Sequence, residues 1–268
     1  MKDIYILKIG GSVATDKQGA RRSVRKELLF QIAQQIRDAQ KKGDFDLILI
    51  HGAGSFGHLL AHQYALTKGT GEEEKKIHGA LLSRQANQRL NADLTKLFFS
   101  AGLKIVPVHT ASVITHDKGC ITSFDMKALV LAITKGYVPL LYGDMVFDET
   151  LGMSICSGDG IGAYLAEKLN ATKMFFASDI KGVFDKDPHL FSDAKLIEKI
   201  ALSNIHSAGN ISHSHSIDAT GGLGGKISSL AGLHGSTVRS IEIFNGLVPE
   251  NYSKVLRGES FMHTTIIP

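Results

Sequence analysis

Only two cysteines occur in 268 residues, Cys120 and Cys156, far apart and outside any CxxC spacing. That excludes a disulfide framework and suits a reducing compartment. No apolar stretch approaches the roughly 20 residues of a membrane span. Met1-Lys2-Asp3 runs directly into the apolar IYILKI, without the longer apolar core and small-residue cleavage site of a secretory leader, so a cytoplasmic protein is expected. Long Lys/Arg runs and basic-aromatic stripes are also missing. With 30 basic and 26 acidic residues the net charge is only +4, which argues against nucleic acid as a partner and suits small anionic ligands. There is no internal repeat, low-complexity tract or evident linker.

What is present is an ordinary globular composition, 43% hydrophobic and 21% charged. The length allows one large α/β domain or two intimate lobes. Short apolar, β-branched runs alternate with helical patterns. Strands are expected at IYILKI, DLILI, LKIVPV, YVPLLY, KMFFA, RSIEIF and TTII. Helices are expected over 24–41, 72–101 and 125–135, from about Asp159, after Gly225 and from Pro249. GDMVFDETLGMSI reads as a hairpin around its Asp-Glu-Thr-Leu-Gly turn. Such alternation implies a largely parallel sheet covered on both faces, with ligands at the carboxyl ends of its strands.

Four glycine-containing turns fall at those strand ends or helix starts. HGAGSFGH (51–58) contains Gly52-x-Gly54-x-x-Gly57, the spacing of a dinucleotide fingerprint. That reading needs a second strand ending in an acid within about 30 residues. No strand-like run appears before Ile105, so the NAD reading loses its context. TGGLGGKIS (220–228) resembles a P-loop but has Thr220 where the first glycine belongs and Ile227 where a hydroxyl should hold Mg²⁺. Flexible amides and a cation suited to phosphate oxygens remain. KIGGS (8–12) sets a lysine beside two glycines at the end of the first strand, and SGDG (157–160) leads into a helix, where Asp159 by itself reads as an N-cap. Two lysines with ordered amides are what phosphoryl transfer requires, because charge gathers on the transferred group and no covalent nucleophile is needed. The histidines around HSHS (His206, His213, His215) lack the carboxylate or cysteine spacing of a metal site and read as a solvated loop.

In order along the chain, KIGGS, HGAGSFGH, YGD (142–144), SGDG, SDIKGVFDKDP (178–188) and DATGGLGGK (218–226) resemble the amino acid kinase family over essentially the whole length. The trailing His58 is most similar to that of the isopentenyl phosphate kinases, and next to that of the fosfomycin-phosphorylating kinases. The resemblance implies an open αβα sandwich with a central, largely parallel sheet. Residues 1–170 would form an acceptor-binding and dimerisation lobe, and 171–268 a nucleotide-binding lobe on the same continuous sheet. It further implies ATP and Mg²⁺, a small phosphate-bearing acceptor and a homodimer. Lys8 and Lys226 would neutralise the β- and γ-phosphates, Asp159 would orient them, and Lys17 would lie near the transferred group. His58, with the amides of Gly54, Gly57 and Gly158, would hold the acceptor's phosphate. Gly10, Gly11, Ser12 and Gly222 would approach ATP, with Asp179, Gly182, Val183, Phe184, Asp187 and Pro188 around its nucleoside. Lys181 and Phe184 depart from the usual D-G-V-Y of relatives, and His263 from the usual closing strand. Tyr64, Leu81, Leu82 and Gln85 are candidates for the wall around an apolar acceptor tail. A fosfomycin-type phosphonate kinase and a non-catalytic nucleotide-binding protein are the alternatives.

Overall fold

The computed structural model describes residues 2–16, 23–186, 188, 190–204, 230–233 and 235–268. In chain order these form β1 (Asp3–Ile9), α1 (Gly11–Ala14), β2 (Thr15–Asp16), β3 (Ser23–Val24), α2 (Lys26–Lys42), β4 (Phe45–His51), α3 (Gly54–Gln63) and α4 (Glu74–Ser100). Next come β5 (Ile105–Pro107), α5 (Thr110–Val113), β6 (Ile114–Asp117), β7 (Cys120–Phe124), α6 (Lys127–Thr134), β8 (Val138–Tyr142), β9 (Asp144–Asp148), β10 (Gly152–Cys156) and α7 (Gly158–Lys168). The remainder is β11 (Lys173–Ser178), β12 (Lys199–Ala201), β13 (Ser240–Asn245), α8 (Glu250–Arg257) and β14 (Thr264–Ile267). The helix expected after Gly225 and the HSHS histidines lie outside the described residues.

Eight strands form one sheet in the order β12-β14-β13-β11-β1-β4-β8-β5, running across both halves of the chain. All neighbours in it are parallel except β13 and β14. Period-two alternation builds both faces from the same strands. Leu7, Ile9, Leu47 and Leu49 join the cluster under α2, α4 and α8, while Ile6, Ile48 and Ile50 join the one under α6 and α7. On α2 the buried residues Leu29, Ile32, Ala33, Ile36 and Ala39 follow helical spacing, which fixes the face it lays on the sheet. Each fully buried Leu or Ile of this kind contributes about 1.5–3 kcal/mol. Helices therefore cover both faces, as the sandwich requires.

A second sheet, β10-β9-β6-β7, stands beside the first. Its β9–β10 hairpin is the one anticipated, with Met145 opposite Ile155. The β6–β7 hairpin was not anticipated. Its turn depends on a residue remote in sequence: Asp148 accepts the amides of Lys118 (3.0 Å) and Gly119 (2.7 Å). It also accepts those of Thr150 (3.1 Å) and Leu151 (2.8 Å) in its own hairpin. Burial works against the ionised Asp148, but these hydrogen bonds outweigh it and hold its carboxyl down at about 2.

Candidate active site

The turns after β1, β4 and β8 and the start of α7 meet at the carboxyl edge of the large sheet. Gly10 donates its amide to Ala177 O of β11 (2.9 Å), and Gly52 donates to Ile9 O of β1 (3.0 Å). Gly143 in turn donates to His51 O of β4 (3.1 Å). A Cβ on Gly52 would stand 2.7 Å from Gly11 N, and one on Gly11 would overlap the main chain of Gly54. Only glycine lets these two backbones touch. Gly54 adopts φ +53°, a conformation that glycine enters without strain. The fully buried Thr15 ties the turns together: its hydroxyl donates to Gly11 O (2.8 Å) and accepts from Ser55 N (3.0 Å).

Lys8, the penultimate residue of β1, reaches Asp159 in the first turn of α7, with Nζ 2.8 Å from Oδ1 and both side chains buried. Burying an ion pair is costly, and breaking one leaves an uncompensated charge. A Cβ on Gly158 would come within 3.6 Å of Lys8 Cε and 3.4 Å of His51 O, so the helix start also presses its main chain onto the lysine. Ser157 caps α7, its Oγ accepting from Gly160 N (3.0 Å), so Asp159 is not the cap. Several amides at these helix starts are engaged: Ser55 N by Thr15, Phe56 N and Gly57 N by Ala53 O (3.2 Å each), and Gly160 N by Ser157. The phosphate contact expected from the Gly57 amide is therefore already used; the two helix starts still favour an anion.

Beside this edge is a cavity of about 30 Å³, lined by Ala53, Gly57, His58 and Ala61 of the β4–α3 segment. Ser83 and Asn87 of α4, Gly143, Asp144 and Met145 around β9, and Ile155, Cys156 and Ser157 complete it. The structure thus brings Lys8, Gly10, Gly11, Gly54, Gly57, His58, Gly158 and Asp159 together. Ser12 lies in α1, its Oγ 3.6 Å from where a Gly10 Cβ would stand. Asp179 is exposed just past β11, next to the strand whose carbonyl holds Gly10. Gly182 and Val183 pack on β14: Val183 is fully buried and its amide donates to Thr264 Oγ1 (2.8 Å), which leaves its side chain no open face. Phe184 bridges to Leu196, and Lys181 is exposed. Pro188 is partly buried on the same segment. Lys17, Asp187, Gly222 and Lys226 lie outside the described residues.

The residues offered as candidates for the wall around an apolar tail stand apart from this cavity. Tyr64, Leu81, Leu82 and Gln85 do not line the cavity; α4 turns Ser83 and Asn87 toward it instead, one helical turn apart. Leu81 is 46% exposed. Sequence reasoning also missed Asp144, the acid of YGD. Burial pushes its carboxyl up to about 6, opposed by the hydrogen bond from Asn87 Nδ2 (3.1 Å) and by Arg84, 3.9 Å away. Its place one residue after a glycine at a strand end was the available signal. Cys156 is buried, and burial pushes its thiol up.

The amino acid kinase family model matches residues 3–245. Isopentenyl phosphate kinase of Methanothermobacter thermautotrophicus is 31% identical, with 98% of each chain covered. That of Methanocaldococcus jannaschii is 33% identical, with 96% of each covered. Among solved structures, one described as "X-ray structures of isopentenyl phosphate kinase" superposes with a TM-score of 0.84 at 29% identity, over 98% of this chain and 99% of that one. A glycine-built sheet edge, a buried Lys–Asp pair across it and a match spanning nearly the whole chain lead to one conclusion: this chain belongs to the amino acid kinase family.

Proposed function

We propose that the chain transfers the γ-phosphoryl group of ATP to isopentenyl phosphate, giving isopentenyl diphosphate and ADP. The observation that carries this reading is the buried Lys8–Asp159 pair set among the glycine turns beside a cavity containing His58. The full-length likeness to isopentenyl phosphate kinases supplies the acceptor.

In this reading the acceptor's phosphate lies against the starts of α3 and α7, at Gly54 and Gly158, with His58 donating to it. One of its oxygens attacks the γ-phosphorus in line. That O–P bond forms as the bond to the β-phosphate oxygen breaks, and the electron pair leaves on ADP. The acceptor is already ionised near neutral pH, so no general base is needed. Lys8, aimed by Asp159, offsets the charge gathering on the transferred group. Lys226 and Lys17 would add to this, and the 178–188 segment would bear the nucleoside. Mg²⁺ would arrive on the phosphates of ATP; among the described residues no cluster of three His, Cys, Asp or Glu side chains is placed to hold a metal. The protein would act in the cytoplasm as a homodimer, with 1–170 as the acceptor half and 171–268 as the nucleotide half. Among the described residues no helix is long and apolar enough to cross a membrane.

A second reading, a fosfomycin-type phosphonate kinase, rests only on the small size of the cavity, which suits a compact acceptor; its accessible wall is mainly apolar, which suits an isoprenoid. ADP release measured with isopentenyl phosphate, dimethylallyl phosphate, fosfomycin, acetylglutamate and UMP separates the two. The fastest turnover is expected with isopentenyl phosphate. Preference for fosfomycin would install the second reading, and ATP binding by calorimetry without turnover on any acceptor would end both.

A further inference from the structure

His51, the first letter of HGAGSFGH, is fully buried at the end of β4, with its ring stacked on Tyr142 at 5.3 Å and 12°. Its Nδ1 is 3.0 Å from Gly52 O. A carbonyl oxygen only accepts, so Nδ1 carries the hydrogen. A neutral ring then presents a lone pair at Nε2, which is 3.2 Å from the Asn91 Oδ1 position. Amide oxygen and nitrogen are interchangeable by rotation of the group, so the lone pair requires the NH₂ of Asn91 at that place. The alternative, an imidazolium donating at both nitrogens, is opposed by burial, which pushes the ring down to about 4. Lys8 on the adjacent β1 is the charged group acting on the ring, and it also disfavours a second cation.

We propose that His51, oriented by Asn91, is a positioning residue that fixes the Gly52 carbonyl and thereby the glycine turn carrying the acceptor's phosphate. This rests on the phosphoryl-transfer reading above. The turn is fastened twice, by Gly52 N on Ile9 O (3.0 Å) and by Gly52 O on His51 (3.0 Å). Rotation of that peptide would carry with it Ala53 and Gly54, the start of α3, and so Gly57 and His58. The turn after β1 has its own anchor, Gly10 N on Ala177 O (2.9 Å), which His51 does not touch. Asn91 also belongs to a stripe. Ser83, Asn87 and Asn91 follow four-residue spacing on α4, and all three are buried. Ser83 and Asn87 line the acceptor cavity, while Asn91 holds the histidine that sets its glycine wall. One face of one helix therefore shapes both ends of the acceptor's seat.

The imidazole ¹⁵N shifts of His51 test the tautomer directly. A neutral ring with its hydrogen on Nδ1, unchanged from about pH 5.5 to 8, is expected. A ring that titrates near 6.5 or carries its hydrogen on Nε2 would overturn the proposal whatever the activity. Calorimetry with isopentenyl phosphate and with ATP tests the positioning. Asn91→Leu should weaken acceptor binding about tenfold and leave ATP binding within about twofold. Equal losses for both ligands, or unchanged acceptor binding in a folded variant, would defeat it. Asn91→Asp serves as well should the leucine variant not fold. Its carboxylate draws a proton to Nε2, so the ¹⁵N shifts should report an imidazolium near neutral pH and acceptor binding should become pH-dependent. A His51 that stays neutral there would also overturn the proposal. Wild-type ADP release decides the phosphoryl-transfer reading separately.

Discussion

Two ion pairs of almost equal length occupy the large sheet, Lys8–Asp159 at 2.8 Å near its centre and His263–Glu242 at 2.9 Å toward its far edge. They differ in what surrounds them. Around Lys8 and Asp159 the neighbours are glycine backbones and a helix start, which hold two charges in place beside main-chain amides. Around Glu242 and His263 the neighbours are mostly side chains, with His263 Nδ1 donating to the one carbonyl of Phe261 (2.8 Å). Thr265 Oγ1 donates to the same carboxylate oxygen (2.7 Å), and Phe261 stacks on the imidazole at 4.4 Å. The second pair is a closed knot joining β13 to β14. A buried charge does not by itself mark a site. Glycine backbone converging on it does.

The comparison is broken most sharply by the lysine. Lys8→Ala should lower kcat by at least about 10²-fold, as removal of a preorganised charge from a transferring group does. Glu242→Gln should leave kcat within about twofold. Steady-state assays of both folded variants check this, and equal losses would erase the distinction. His58→Ala should come next, with the acceptor KM raised about tenfold or more and the ATP KM nearly unchanged.

Asp144 sharpens it further, as a buried acid near the site whose cationic partner, Arg84, stands at 3.9 Å. Its folded value of about 6 exceeds its ordinary 3.8, so the folded state binds the extra proton and stability rises as pH falls through 6. Asp144→Asn should therefore stabilise the protein by about 1–2 kcal/mol at pH 8, with the gain gone below about pH 4. Chemical denaturation across pH measures it.

The smallest effect belongs to the knot. The hydrogen bond to Glu242 raises the His263 value above 6.5. Its contribution is thus present below 6.5 and lost as pH rises through the folded value. Burial raises Glu242, but the hydrogen bonds from His263, Thr265 and Ser240 outweigh it and leave the carboxyl below 4.5. That contribution is present above 4.5 and lost as pH falls through the folded value. Glu242→Gln should cost about 1 kcal/mol, most clearly between pH 4.5 and 6.5.

Much of this was legible in the chain. Long apolar runs such as DLILI and the helical spacing of α2 state their own periods, because each buries a face whatever its neighbours do. The β6–β7 hairpin did not show. Its strands are short, and its turn is held by Asp148 from another hairpin. KIGGS, HGAGSFGH and SGDG showed as glycine turns because close backbone approach excludes other residues. The wall of α4 did not show, since a 27-residue helix offers several faces and only its neighbours select one.

By itself, then, the sequence determined the alternation of strand and helix, the places where glycine lets backbones meet, and the lysine and acid available there. Local sterics and hydrophobic period decide those matters. Tertiary structure alone decided that Lys8 meets Asp159, that Thr15 clamps two turns, and that Asn91 orients His51. Each is a contact between segments remote in the chain, and its geometry exists only once the sheet has set their relative positions.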